Sequence, residues 1–177
     1  IRDGICIIDL LKTQAQLRNS MEFLKKTLKS GGMVLFTGIT KQSSESMKNL
    51  AEAFNMPYVV DRWLGGTLTN YKVINARVKK LEELENDTKS GALDKYTKKE
   101  RLMLSKELAK MTTRFNGLKK LTRLPDAVFV SSLKESSLAV KEAKKMGIKV
   151  IGIANTDSNP EEIDYVIPAN DRSKRSV

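Results

Sequence analysis

Apolar residues recur along this chain in two rhythms, and each change of rhythm marks a change of element. Short unbroken apolar runs at residues 4–8, 33–37, 58–60, 127–130, 150–154 and 165–168 read as buried strands, the last a short sixth. Between them the spacing turns helical. Leu17, Met21, Leu24 and Leu28 form one stripe that stops at Gly31-Gly32, and Met47, Leu50, Ala51 and Phe54 form a second, closed by Asn55-Met56-Pro57. Val140, Ala143 and Met146 mark a third, ahead of Gly147. Asp9 stands where a helix cap belongs. Strand alternating with helix predicts a doubly wound α/β domain with parallel strands joined by right-handed crossovers.

The middle of the chain departs from that alternation. Tyr71, Ile74, Val78, Leu81 and Leu84 make one narrow stripe; after a turn at residues 89–92, Leu104, Leu108, Met111 and Phe115 make another. Thr97-Lys-Lys-Glu100 has the form of a capping box for the second helix. Two such helices fold back as an antiparallel coiled-coil hairpin, too narrow in its seam to be a core, so the hairpin is expected to project. Residues 1–61 and 124–177 thus form one α/β domain, and residues 62–123 form a pivot plus an inserted helical hairpin.

The pivot is the stretch 61–71. Gly65 and Gly66 permit a sharp redirection, Thr67 or Thr69 is placed to cap the following helix, and Arg62-Trp63 offers a cation beside a flat ring. That pair suits RNA by salt contact and stacking, or else Trp63 packs the hairpin base while Arg62 is solvated.

Charge sharpens the picture. The 177 residues carry 32 Lys+Arg against 21 Asp+Glu, a net +11, which favours a polyanionic partner. The surplus is uneven: residues 71–123 hold fifteen basic against seven acidic side chains, whereas residues 124–177 hold eight of each. Basic residues gather at Arg62, at Lys119, Lys120 and Arg123, and at Arg172, Lys174 and Arg175. If the ends of the insertion meet, the first two groups make one patch at the hairpin base.

Reactive chemistry is scarce. With no histidine and one cysteine, neither a Ser-His-Asp triad, a His/Cys zinc site nor an internal disulfide can be assembled, and Cys6 reads as a small buried hydrophobe. No apolar run approaches membrane-spanning length, and no signal-peptide layout opens the chain. The turn from Gly38 through Lys41 to Ser44 resembles a phosphate cradle but lacks the P-loop spacing. An α/β enzyme binding a phosphorylated metabolite there remains the alternative, and a partner-binding module using the hairpin seam is a third.

Four runs carry a resemblance: Arg62-Trp-Leu-Gly-Gly-Thr-Leu-Thr-Asn70, Leu124-Pro-Asp-Ala-Val-Phe-Val130, Gly147-Ile-Lys-Val-Ile-Gly-Ile153, and Ile163-Asp-Tyr-Val-Ile-Pro-Ala-Asn-Asp171 closing with Arg175-Ser176. Together, in order and in register, they resemble the family of small-subunit ribosomal protein two in its bacterial-type form. The resemblance implies a flavodoxin-like, Rossmann-like parallel sheet with a protruding coiled-coil hairpin. It further implies small-subunit ribosomal RNA and neighbouring small-subunit proteins as partners, a seat between head and body, and a docking role for ribosomal protein one. No catalysis, cofactor, metal or membrane is implied. The location would be cytoplasmic and ribosome-bound, with an organellar ribosome left open. Two stretches depart from the pattern, Asn155-Thr156-Asp157 and Asn170-Asp171-Arg172. The candidate RNA-binding residues are therefore Arg62, Trp63, Asn70, Lys119, Lys120, Arg123, Arg172, Lys174 and Arg175, and Gly65, Gly66 and Thr67 are the candidate shapers of the hairpin base.

Overall fold

The structure, a computed structural model, describes residues 6–174. Strands β1 (Val34–Thr37), β2 (Tyr58–Val59), β3 (Ala127–Val130), β4 (Lys149–Ala154) and β5 (Tyr165–Pro168) form one parallel sheet in the order β2-β1-β3-β4-β5. Register is set by pairs such as Phe36 with Tyr58, Val34 with Ala127 and Ile151 with Tyr165. This is an α/β fold, and the strand order is the flavodoxin-like one. Helices α1 (Leu10–Lys29), α2 (Ser44–Ala53), α3 (Tyr71–Lys89), α4 (Lys98–Phe115) and α5 (Ser137–Lys145) complete the main elements.

Because side chains alternate across a strand, the sheet divides its apolar residues between two cores. Leu35, Val128, Val130 and Val150 face one cluster with Ala139, Val140 and Ala143 of α5 and with Ile74, Val78, Leu81 and Phe115 of the hairpin. Val34, Phe36, Ala127 and Ile151 face the other, with Met47 and Ala51 of α2 and Phe23 and Leu24 of α1. The insertion is therefore rooted in the first core: Leu81, three turns into α3, is fully buried. Farther along, Leu102 and Met103 of α4 lie exposed.

Two helix starts follow their local sequence. Asp9 accepts from the Leu11 and Lys12 N–H groups at the head of α1, and Thr97 with Glu100 closes the capping box of α4. The head of α3 does not. Its cap residue is Asn70, without a side-chain bond, while the Thr67 hydroxyl donates to Leu64 O at 2.6 Å and the Thr69 hydroxyl is engaged by α5.

The expected strand at residues 4–8 is only partly covered, since residues 4 and 5 lie outside the described residues. Cys6 to Ile8 are not a strand. Cys6 is exposed rather than buried, and Ile7 is 68% exposed. The run lies beyond the carboxyl ends of β4 and β5, against Ala154 and Pro168, rather than alongside a strand. The stripe of α1 is also less buried than its spacing predicts. The helix is pinned to β5 by Thr13, whose hydroxyl donates to Pro168 O at 2.6 Å, and by Phe23 stacked on Tyr165 at 4.4 Å. That contact turns Met21 and Leu28 toward an open cleft shared with Leu50 and Phe54 of α2, and leaves Leu17 42% exposed.

Candidate nucleic-acid interface

The pivot is organised by a residue far from it in sequence. Glu142, on the inner face of α5 and 6% exposed, accepts five hydrogen bonds from the pivot loop. Its Oε1 takes the Trp63 indole N–H at 3.1 Å and the Gly66 N–H at 2.8 Å. Its Oε2 takes the Leu68 N–H at 3.0 Å, and both the N–H and the hydroxyl of Thr69 at 3.2 Å. Burial pushes this carboxyl up, but the donors of Gly66, Leu68, Trp63 and Thr69 outweigh it and hold the group below its ordinary value. Gly66 makes the arrangement reachable, since its φ of +91° lies where only glycine is at ease.

This loop geometry sorts the candidate residues. Trp63 is 5% exposed, so its ring packs the hairpin root and offers no face to a base. Gly65 is exposed at the turn, Thr67 is buried, and Asn70 is exposed at the head of α3. Arg62 is exposed and, among the described residues, has no ion-pair or hydrogen-bond partner. Lys120 is half-buried and likewise unpaired among them, between Leu118 and Leu121 of the core. Tyr71 ties the two ends of the insertion together through its hydroxyl, which donates to Leu121 O at 2.8 Å.

Several other cations are already engaged. Lys119 Nζ donates to both oxygens of Glu85 at 2.7 and 2.8 Å. Arg123 lies 2.8 Å from Asp126 and bonds Gly31 O at 3.2 Å, which places it at the amino ends of β1 and β3, whereas Arg62 follows the carboxyl end of β2. The Arg123 guanidinium and the Met33 N–H hold the Asp126 carboxyl below the usual carboxylate range. Arg172 pairs with Asp157 at 2.9 Å and Lys174 with Glu45 at 3.1 Å, beside the carboxyl ends of the strands. Arg175 lies outside the described residues.

A second basic surface was not singled out from the sequence. Arg77 of α3 and Lys110 and Arg114 of α4 meet along one flank of the hairpin, lining a groove of about 600 Å³. The signal was present in the hairpin's register, because the antiparallel pairing that sets Lys80 against Glu107 at 2.8 Å also sets Arg77 opposite Lys110.

The turn at residues 38–44 is closed on itself. The hydroxyls of Thr40 and Ser43 lie 2.7 Å apart, and Ser131 donates to Ser43 at 2.7 Å. The cations lining the neighbouring cleft, Lys134 and Arg172, both pair with Asp157. Among the described residues no group of three His, Cys, Asp or Glu side chains converges as metal ligands.

The sequence matches the family model described as Ribosomal protein S2 over residues 1–177. The chain belongs to the ribosomal protein S2 family. Curated relatives agree: a "Small ribosomal subunit protein uS2" of Deinococcus radiodurans is 43% identical over 176 residues, 99% of this chain and 67% of that protein. A protein of the same name from Thermus thermophilus is 44% identical over 99% of this chain and 69% of its own length. The ribosomal protein S2 family is structural rather than enzymatic, so the closed turn at residues 38–44 is part of a scaffold and not of a catalytic site.

Proposed function

We propose that this chain is a component of the small ribosomal subunit that binds ribosomal RNA through the hairpin root and flank, seated between head and body beside neighbouring small-subunit proteins. The observation that carries the reading is the state of the cations. Arg62 and Lys120 at the root are left unmatched among the described residues, and residues 71–123 beside them carry fifteen basic against seven acidic side chains. Unmatched cations on a rigid support gain most from phosphate, and their contribution falls as salt rises. Sedimentation of the full chain with small subunits tests this. Arg62→Gln with Lys120→Gln is expected to lower the salt concentration at which the chain is released. Release at the wild-type concentration counts against the root as an RNA contact.

A second reading, a docking role for ribosomal protein one, is supported by the cleft between α1 and α2. It encloses about 300 Å³ against Met21, Leu24, Leu50, Phe54 and Phe129, and Phe54 at its edge is 58% exposed. An apolar surface of this kind on a ribosomal protein suits a protein partner better than a polyphosphate one. Leu50→Asp is expected to reduce retention of protein one on purified subunits without releasing this chain. Unchanged retention removes the cleft from that role.

A further inference from the structure

We infer that Glu142 is a positioning residue for subunit binding: it fixes the direction in which the hairpin leaves the α/β body, and with it the place of Arg62, without itself touching RNA. The fixing of direction stands on the geometry of the free chain, and its consequence for binding rests on the reading of the root as an RNA contact. The polar ties of the insertion are of two kinds. Lys80 with Glu107, Lys119 with Glu85 and Tyr71 with Leu121 O close the insertion on itself and leave its angle to the sheet unset. The ties that cross to the body set that angle. On the returning arm, among the described residues, they are Arg123 to Asp126 and to Gly31 O, and Asn116 to the Tyr58 hydroxyl. On the departing arm, among the described residues, all five end on the carboxylate of Glu142, at 2.8 to 3.2 Å.

Packing and hydrogen bonding do different work at this root. Ile74, Val78 and Leu81 bury α3 in the first core, but apolar burial is non-directional, whereas a hydrogen bond weakens steeply off its line. Donors spread over residues 63–69 and converging on two oxygens therefore fix the loop in three dimensions. An amide in place of the carboxylate accepts at one oxygen and sets its own N–H groups against the remaining donors. Arg62 adjoins Trp63, so a loop released from Glu142 carries that cation out of place. Length magnifies the effect. Helix α3 has 19 residues and so spans ~28 Å, and a turn of ~10° at its head moves its far end by about 5 Å.

The test uses the full chain with Cys6→Ser, spin-labelled after Asn49→Cys on α2 and Lys106→Cys on α4, and reads the distribution of distances between body and hairpin. The chain with Glu142 intact is expected to give one narrow distribution, and Glu142→Gln one wider by about 5 Å, the displacement that ~10° of freedom at the root produces. Ile151→Ala, which weakens the core on the opposite face of the sheet, is expected to lose stability and keep the narrow distribution. Unlabelled chains are then bound, across a salt series, to small subunits stripped of their own copy. Glu142→Gln is expected to bind about tenfold more weakly, because only the fraction of chains holding the bound direction is competent. Its slope of log K against log[salt] is expected to match that of the wild type, whereas Arg62→Gln with Lys120→Gln reduces the slope by about 1.5. A narrow distribution in Glu142→Gln overturns the inference, as does equal widening in Ile151→Ala. A changed slope in Glu142→Gln also overturns it, because the carboxylate then acts through charge and not through position, and so does wild-type affinity in a chain whose distribution has widened. Should Glu142→Gln fail to fold, Thr69→Val, which removes one of the five bonds, takes its place and is expected to widen the distribution by a smaller amount; no widening there overturns the inference. If Arg62→Gln with Lys120→Gln binds as the wild type does while Glu142→Gln widens the distribution, the root reading falls and the fixing of the hairpin's direction stands.

Discussion

The indole N–H of Trp63 donates to Glu142 Oε1 at 3.1 Å, joining residues 79 apart in sequence, and this bond decides what the tryptophan does. Its ring is committed to the hairpin root, and the carboxylate that holds it also gathers the backbone N–H groups of Gly66, Leu68 and Thr69. One buried acid thus fixes the loop from which the hairpin departs. Removing its charge should loosen that departure rather than only weaken the core.

Glu142→Gln is expected to cost about 3 kcal/mol of unfolding free energy, because an amide cannot accept at both positions and leaves buried donors unmatched. The lone tryptophan reports the change directly. Its fluorescence should shift to the red and become more accessible to quencher at temperatures well below unfolding. Wild-type emission in that variant would show that the loop holds its form without Glu142.

Acid should act through the same carboxylate. Its folded value lies below the ordinary glutamate value of 4.5, so near that pH the unfolded chain binds more protons than the folded one. The stability it supplies is complete above that value and is lost as pH falls through the folded one. Asp126 and Asp164, lowered in the folded chain from 3.8, add to the loss at lower pH. Chemical denaturation between about pH 6 and 3 is expected, on this linkage, to show stability falling with acid, and the fall should be shallower in Glu142→Gln. Equal steepness in both chains would assign the acid sensitivity to the other lowered carboxyls, Glu100 and the aspartates.

The parts of this fold legible in sequence are those whose physics is local. The Thr97 to Glu100 capping box, the Asp9 cap and the strand run at residues 127–130 depend on neighbours a few positions away, and each is found where its pattern places it. What could not be read depends on partners distant along the chain. Glu142 sits among Lys141, Lys144 and Lys145, which reads as a solvated helix face until α5 is laid against the pivot. Lys119 reads as a free cation until Glu85 is brought beside it. Residues 6–8 have the composition of a strand, but strand formation also needs a free edge, and composition does not show whether one is present.

Burial along the hairpin predicts a gradient of sensitivity. Leu81 is fully enclosed by the core that also holds Phe115, Leu118 and Leu121, whereas Leu102 on α4 is exposed. Leu81→Ala is expected to cost about 3 kcal/mol, and Leu102→Ala less than about 0.5 kcal/mol. Urea titrations of the two variants check this. Similar losses would mean that the outer hairpin is as tightly packed as its root.

The root also depends on a glycine. Gly117 follows α4 where the chain is pressed onto Tyr58 of β2, so closely that a β-carbon there would collide with the Tyr58 carbonyl and ring. The obstruction is partly backbone within the sheet, so a rotamer change cannot relieve all of it. Gly117→Ala must therefore push the returning arm of the hairpin off β2 or displace β2 from Phe36, its registered partner on β1. Overpacking of this kind costs about 1 to 3 kcal/mol. The damage should be local as well as global. Amide exchange is expected to accelerate at Phe36 and Gly38, whose N–H groups bond Pro57 O and Val59 O, before it does so at residues 150–154 on the far side of the sheet. Exchange that rises evenly over all five strands would instead mean that the root and the sheet open as one unit.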